Sequence, residues 1–403
     1  MLSIPMNGVL NSYLIGKNLM DKNKSFRIVL SILANAFAFG LQITGVMPVL
    51  NMISEKYSRY GTGTIQLLQT LPYALLIAGS LSIGWLTTKV SKKKLVMAGL
   101  AIVGITGTLP CLIEGFAVLF VCRILIGFGF AISAPLNSAI ISDFFEPDKR
   151  AGYMGLHVVA MGIGTMAANM LGSVLAKQGL RWYFLVYLSG LAGCLIVALT
   201  LPEVPPVRNA RSSDLKLNSM VYAISFMSFA HTLFINAYST NISMYISQNI
   251  SSDPSSAGLA TTINAAFAMC MGMLFAKIAN LMKSATLPFS IFSAAAGFAA
   301  ILLIPGMPGV VISSALCGVS LSCFSAMGAF LISVSVKNEA VAKANGVYTI
   351  IGAVGGLIAP MVLNTGASLT GGNTPVNQFR IALAGMAVLG VSASVYIGRQ
   401  SIK

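Results

Sequence analysis

Charge is what this sequence has least of. Only 9% of its 403 residues are Asp, Glu, Lys or Arg, against about 25% in a soluble domain. With 56% hydrophobic residues, the chain has too little polar surface to cover a soluble core, which excludes a water-soluble globular protein. No Cys-x-x-Cys occurs. The six cysteines (111, 122, 194, 270, 317 and 323) lie within or at the ends of apolar runs, so neither a disulfide frame nor a zinc site is supported. No G-x-x-x-x-G-K-[ST] loop is present, which excludes ATP hydrolysis of the P-loop kind and leaves a gradient as the energy source. No cofactor is expected. The two histidines are far apart, with no acid cluster beside them. That argues against an enzyme and leaves a membrane-embedded lipid-modifying activity as a remote alternative. The net charge of +15 sits in short gaps between apolar runs, not along one face, so nucleic acid is not an expected partner.

What is present is a series of long apolar runs. About twenty apolar residues cross the hydrocarbon layer. Twelve runs qualify, at roughly 28–50, 66–87, 94–112, 116–137, 153–175, 182–201, 219–246, 257–279, 286–305, 309–333, 346–368 and 379–398. The expected fold is an all-α membrane protein of twelve transmembrane helices in two six-helix halves. Residues 1–27 form a tail, 28–201 the first half, 202–218 a Pro-rich charged linker and 219–403 the second half.

The lysines test this count. Tails, linker and even-numbered gaps hold nineteen of the 25 Lys and Arg residues; the odd gaps hold five; Arg123 is left inside a span. The positive-inside bias then places both termini in the cytosol of a multi-pass protein of the cytoplasmic membrane. The bilayer is its surrounding partner, and a monomer is expected. The halves also read as repeats. At an offset of 191 residues, Gly127 falls on Gly318, Gly155 on Gly346, Gly164 on Gly355, and Ala168-Asn169 on Ala359-Pro360. Related halves with a site between them are a common plan of secondary transporters.

Arg123 is the strongest single signal. A charge at mid-span costs about 2.5–3.5 kcal/mol on insertion scales, so it must meet water, a partner or a substrate. None of the ten acids lies at mid-span, which leaves protons as a coupling ion only through Asp143 or Glu114 at span ends, or through a histidine. A cavity with Arg123 and no acid leans toward anionic or neutral solutes. His231 shares a helical face with Tyr238 and Tyr245 and is weighed equally as a proton carrier and as an interhelical bond. His157 is the weaker histidine candidate. Asn35, Phe39 and Gln42 share a face of span 1; Gln66, Gln69 and Tyr73 share one of span 2; span 8 offers Asn264. These groups suit a cavity that hydrogen-bonds a solute, or equally bonds between helices.

Residues 84–94 (GWLTTKVSKKK) carry the resemblance. Twelve spans in a six-plus-six plan, a basic gap between spans 2 and 3 and an arginine in span 4 resemble the major facilitator superfamily. Gly84, Leu86, Lys89, Lys92 and Lys93 fit its G-x-L-x-D-R-x-G-R-R gap, with Thr88 in place of Asp and Ser91 in place of Gly. Arg123, Gly127 and Gly129 fit its span 4 pattern, and Asp143 to Gly152, including Arg150, is similar to its next gap. The drug–proton antiporter branch looks closest, although Ala168 and Asn169 replace its Gly-Pro kink. The resemblance implies a solute path lined by spans 1, 2 and 7. It implies gating roles for Gly84, Lys89, Lys92, Lys93, Asp143 and Arg150. The implied activity is secondary transport of a small organic solute, with efflux favoured and uptake or exchange of a small organic anion as the alternative.

Overall fold

The computed structural model describes residues 24–41, 45–145, 147–203, 217–336 and 338–401. Most of the expected tail and linker, and the candidate Gln42, lie outside the described residues, as does the side chain of Arg150. Span 1 is α1 (Lys24–Leu41), continued beyond residues 42–44 by a 3-10 turn (Met47–Val49) and α2 (Leu50–Lys56). Span 2 is α3 (Thr62–Thr70) and α4 (Pro72–Lys89); spans 3 to 5 are α5 (Lys92–Leu112), α6 (Phe116–Phe144) and α7 (Pro147–Ala176). Span 6 is made of α8 (Leu180–Tyr183), a 3-10 turn (Phe184–Tyr187) and α9 (Leu188–Thr200). The second half is α10 (Ser219–Asn249), α11 (Pro254–Met282), α12 (Thr286–Leu303), α13 (Met307–Ser335), α14 (Asn338–Leu369) and α15 (Pro375–Ser401). Among the described residues eleven of these spans are long and apolar enough to cross a membrane, and no strand occurs. Span 2 is the one divided at a proline, Pro72, which donates no backbone hydrogen bond.

Local signals set the helix starts. Asn218 and Asp253 cap α10 and α11 by accepting from Val221 N (3.0 Å) and Ser255 N (2.9 Å). Ser91, which replaces the family glycine, is the N-cap of α5. The basic gap also has structural partners. Lys92 pairs with Asp143 at 2.5 Å, joining the start of α5 to the end of α6. Lys93 Nζ and Arg27 donate to Ala198 O (2.8 Å) and Leu199 O (2.5 Å), the carbonyls that end α9. Cations are favoured there because the helix dipole leaves its carbonyl end negative.

The two halves repeat each other's packing. In the first, α6 packs on α4 and α5, and α5 on α9; in the second, α13 packs on α11 and α12, and α12 on α15. The glycine offset has a physical cause. A Cβ on Gly164 would lie 2.1 Å from Phe37 O, and one on Gly355 would lie 2.2 Å from Phe229 O. Gly127 likewise abuts Pro72, and Gly318 abuts Asn264, with the backbone as the obstacle each time. In both halves span 5 or 11 touches span 1 or 7 through backbone where only glycine fits. Two seams then join the halves, α4 against α14 and α7 against α11.

Gly355→Ala is expected to lower the thermal unfolding midpoint by several degrees, because overpacking against backbone costs about 1–3 kcal/mol. Gly346→Ala is the control: nothing lies within 4 Å of its added Cβ, so its midpoint should hold or rise. Scanning calorimetry or dye-based melting of both variants checks the pair.

Candidate functional site

Span 1 breaks where its backbone reverses at Gly45, with φ at +58°. A break inside a membrane frees carbonyl and amide groups that no water reaches, and neighbouring helices must meet them. Here Tyr183 and Tyr187 donate to Gly45 O at 2.9 and 3.1 Å, and Gln69 Oε1 accepts from Val46 N at 2.9 Å. Arg123, 1% exposed, completes the cluster. Its Nε donates to Leu68 O (2.8 Å) and one terminal nitrogen to the Tyr187 hydroxyl (3.1 Å). Its other terminal nitrogen has no protein partner. A Cβ on Gly45 would come within 3 Å of both Gln69 and this nitrogen.

Arg123 and Gln69 are thus brought together, but inside the first half, between α3, α6, span 6 and the span 1 break. Asn35 is similarly internal. It donates to Ser133 O (3.1 Å) and Asn137 Oδ1 (2.8 Å), and Asn137 in turn bonds His157 at 2.9 Å. On the other side, His231 stacks on Phe324 with centroids 4.0 Å apart and hydrogen-bonds Ser320 at 2.9 Å. Tyr238 donates to Ser314 Oγ (2.7 Å), and Asn264 donates to Ser314 O (3.0 Å). The face of α10 that carries His231, Tyr238 and Tyr245 therefore packs into its own half. The interhelical role weighed from the sequence is the one these contacts display. Gly84 lies in α4 and Lys89 ends it, at the lysine-rich end of the bundle.

Of these candidates, Tyr73 and Gln66 are placed between the halves, Gln66 bonding Asn241 and Asn364. The Tyr73 ring lies against Gly356 of α14, and its hydroxyl stands beside the Asn236 side chain. Asn236 belongs to a row that sequence reading passed over: Ser228, Thr232, Asn236, Ser239, Ser243 and Ser247 recur every three or four residues along α10. The signal was there, as a period-3.6 line of neutral polar residues opposite the histidine face. Its lower members meet glycines of α14. A Cβ on Gly352 would stand 2.5 Å from Ser228 Oγ. Its upper members cross to the first half: Ser243 donates to Pro48 O (3.0 Å), and Asn51 donates to Ser247 Oγ (2.8 Å). Among the described residues no group of His, Cys, Asp or Glu could hold a metal.

The span-end acids are engaged. Asp143 holds Lys92, and Glu114 pairs with Lys56 at 2.8 Å. That hydrogen bond and charge keep the exposed Glu114 carboxyl below its ordinary range, so it stays ionised near neutrality. Asn169, at the place of the family proline, is fully buried with neither side-chain polar atom partnered.

Arg123→Ala is expected to lower the unfolding midpoint markedly, since Leu68 O and the Tyr187 hydroxyl lose their donor and a buried unmet group costs about 1–3 kcal/mol. His231→Gln should keep the pH profile of ligand-induced stabilisation between pH 5.5 and 8. A profile flattened by this change would mark His231 as a titrating group on the path.

The family model of the Major Facilitator Superfamily matches residues 32–221 and 224–400. Rat synaptic vesicle glycoprotein 2B is 29% identical over 110 residues, covering 27% of this chain and 16% of the rat protein. The zebrafish sphingosine-1-phosphate transporter SPNS2 is 24% identical over 141 residues, covering 34% of this chain and 28% of its own. The chain thus spans under a third of the length of these relatives. A bacterial homologue of the human lysosomal transporter spinster, solved inward-facing and unoccupied, superposes with a TM-score of 0.72 at 16% identity, over 93% of this chain and 96% of that one. A peptide transporter solved with sulfate gives 0.77 at 15%, over 93% and 95%. The zebrafish protein and the two solved neighbours are transporters, not enzymes. By sequence model and fold together, the chain belongs to the Major Facilitator Superfamily.

Proposed function

We propose that the protein is a secondary transporter for a small organic solute without fixed charge, moved by alternating access as two six-helix halves rock about the α4–α14 and α7–α11 seams. The lysine-rich end is cytosolic on the positive-inside argument, in the cytoplasmic membrane. One observation carries the choice of solute. Arg123, the single mid-span charge, is committed to the span 1 break, while the seam carries Tyr73, Thr232 and Asn236. A path of hydroxyls, amides and aromatic surface recognises solutes through hydrogen bonds and contact area. Relatives named for sphingosine-1-phosphate and for peptides differ in solute, so the lining decides here.

Efflux is the direction this reading favours, on the span 4 pattern shared with the antiporter branch. The anion alternative keeps one specific support, the unpartnered terminal nitrogen of Arg123. Proton coupling would need a titrating group on the solute path, and the described row of α10 with Tyr73 supplies amides and hydroxyls, while the titratable cross-half pair Lys177–Asp253 sits exposed at the end of the bundle. A solute gradient or exchange is the simpler drive.

A thermal-shift screen of purified protein with small anions, neutral polar solutes and lipophilic cations tests the reading. Neutral solutes are expected to raise the midpoint by several degrees at saturating concentration, since a ligand at 100 times its Kd adds about 2.7 kcal/mol. Asn236→Leu should weaken that binding about tenfold through the loss of one buried hydrogen bond to the solute. Stabilisation by anions that disappears in Arg123→Ala would overturn the neutral-solute reading.

A further inference from the structure

At the end of the bundle opposite the lysine-rich gaps, four carboxamides from four spans close a ring. Gln66 Nε2 donates to Asn241 Oδ1 (2.8 Å), and Asn241 Nδ2 to Gln378 Oε1 (2.8 Å). Gln378 Nε2 donates to Asn364 Oδ1 (3.0 Å), and Asn364 Nδ2 to Gln66 Oε1 (2.6 Å). Each amide gives one bond and takes one, so the chain of donors runs around without a break. Its direction is fixed from outside the ring, because Asn364 Nδ2 also donates to Pro360 O and Asn241 Nδ2 to Ala237 O (2.9 Å). Gln66, Asn241 and Gln378 are each no more than 1% exposed.

The membership is uneven. Asn241 of α10, Asn364 of α14 and Gln378 of α15 belong to the second half. Gln66 of α3 is the sole member from the first. When the halves part at this end, the three second-half amides keep their mutual bonds and Gln66 loses both of its ring bonds, together with a longer one to Thr240 O (3.5 Å). It leaves behind an acceptor, Asn241 Oδ1, beside a donor, Asn364 Nδ2. The spacing of that pair is already shown to fit one carboxamide, because Gln66 fills it with its N–H and C=O. The other cross-half ties at this end include single bonds, Ser243 to Pro48 O and Asn51 to Ser247, and one ion pair. The cross-half pair Lys177–Asp253 is 47% and 44% exposed, and exposed pairs contribute little.

We infer that Gln66 latches this end shut by occupying a carboxamide-recognition slot on the second half, and that a solute presenting an N–H and a C=O on one edge takes the same slot when the end opens. This rests on the reading of the seam as a solute path, and it narrows the solute to amides, lactams and ureides. Occupation of the slot by solute would compete with closure, so such a solute shifts the population toward the open end.

Closure is read directly by a reporter disulfide, Asn51→Cys with Ser247→Cys, whose parent side chains touch across the halves at 2.8 Å. A protease site placed in the 204–216 linker lets a non-reducing gel show whether cut halves stay joined, with the protein in liposomes. The parent chain without the reporter pair sets the background from native cysteines. Gln66→Ala is expected to lower the cross-linking rate about tenfold, the effect of losing two membrane hydrogen bonds. Asn364→Ala, which leaves Gln66 in place, should lower it similarly, with melting curves confirming that both variants fold. In the Gln66 protein, 2-piperidone should slow cross-linking, whereas N-methyl-2-piperidone, which lacks the N–H, should not. Rates in both variants equal to that of the parent would overturn the latch. Equal effects of the two lactams would overturn the slot. The transport reading is tested apart from both: absence of flux for every solute tried in the same liposomes, with the cross-linking responses intact, would remove the transporter and leave the ring.

Discussion

The structure depends on how one broken helix is repaired. Span 1 turns at Gly45 within the membrane, and its freed carbonyl and amide have no water to bond. Side chains from two other spans supply the missing partners, with Tyr187 passing the support from Gly45 O back to Arg123 of a third. A guanidinium suits this place because its donors are fixed in a plane and stay charged. Its second contact, to Leu68 O, anchors α3 just before the Pro72 division of span 2. Two interruptions in neighbouring spans are thus held by one side chain. The same arrangement sets where Gln66 stands, one turn before that division.

The second half solves the equivalent problem without a charge. At the repeat offset of 191 residues from Arg123 stands Ser314, and it too gathers neighbours: Tyr238 donates to its hydroxyl and Asn264 to its carbonyl. Span 7 has no break there, so hydroxyl and amide contacts suffice. The repeat is exact enough at backbone level for Gly164 and Gly355 to meet Phe37 O and Phe229 O alike. The chemistry laid on that shared frame differs between halves. The break in span 1 is met by a buried cation, whereas the continuous span 7 carries a largely buried row of neutral polar residues along the seam.

Much of the fold was legible in the sequence for reasons of solvent. Apolar run length gives the spans, and the lysines record which gaps stay out of the bilayer. The shared spacing of Gly127 with Gly318 and Gly164 with Gly355 marks backbone contacts that tolerate no side chain, whereas Gly155 and Gly346 face open space. The candidate site was legible only in part, because periodicity tells which residues share a face and not what that face meets. His231, Tyr238 and Tyr245 do share one, and it turns inward. Arg123 was conspicuous for its cost, and cost does not distinguish a ligand from a carbonyl. Gln66, Asn241, Asn364 and Gln378 were invisible as a set. Uncharged amides scattered over 300 residues have no pattern until folding brings them together.

The seam between the halves has a consequence for how the protein feels the membrane's electric field. Moving one elementary charge through 100 mV is worth about 2.3 kcal/mol. A carrier whose gates exchange ion pairs inside the bilayer must draw on that field or work against it. In this chain the row along α10 and its partners Tyr73, Gly352 and Gly356 carry no ionised group, and Arg123 is fixed within a single half. Along this row rocking therefore breaks and remakes dipolar contacts, and the cross-half ion pair Lys177–Asp253 lies exposed at the end of the bundle. On the proposed transport reading, a seam so lined would draw little on that field as the halves rock.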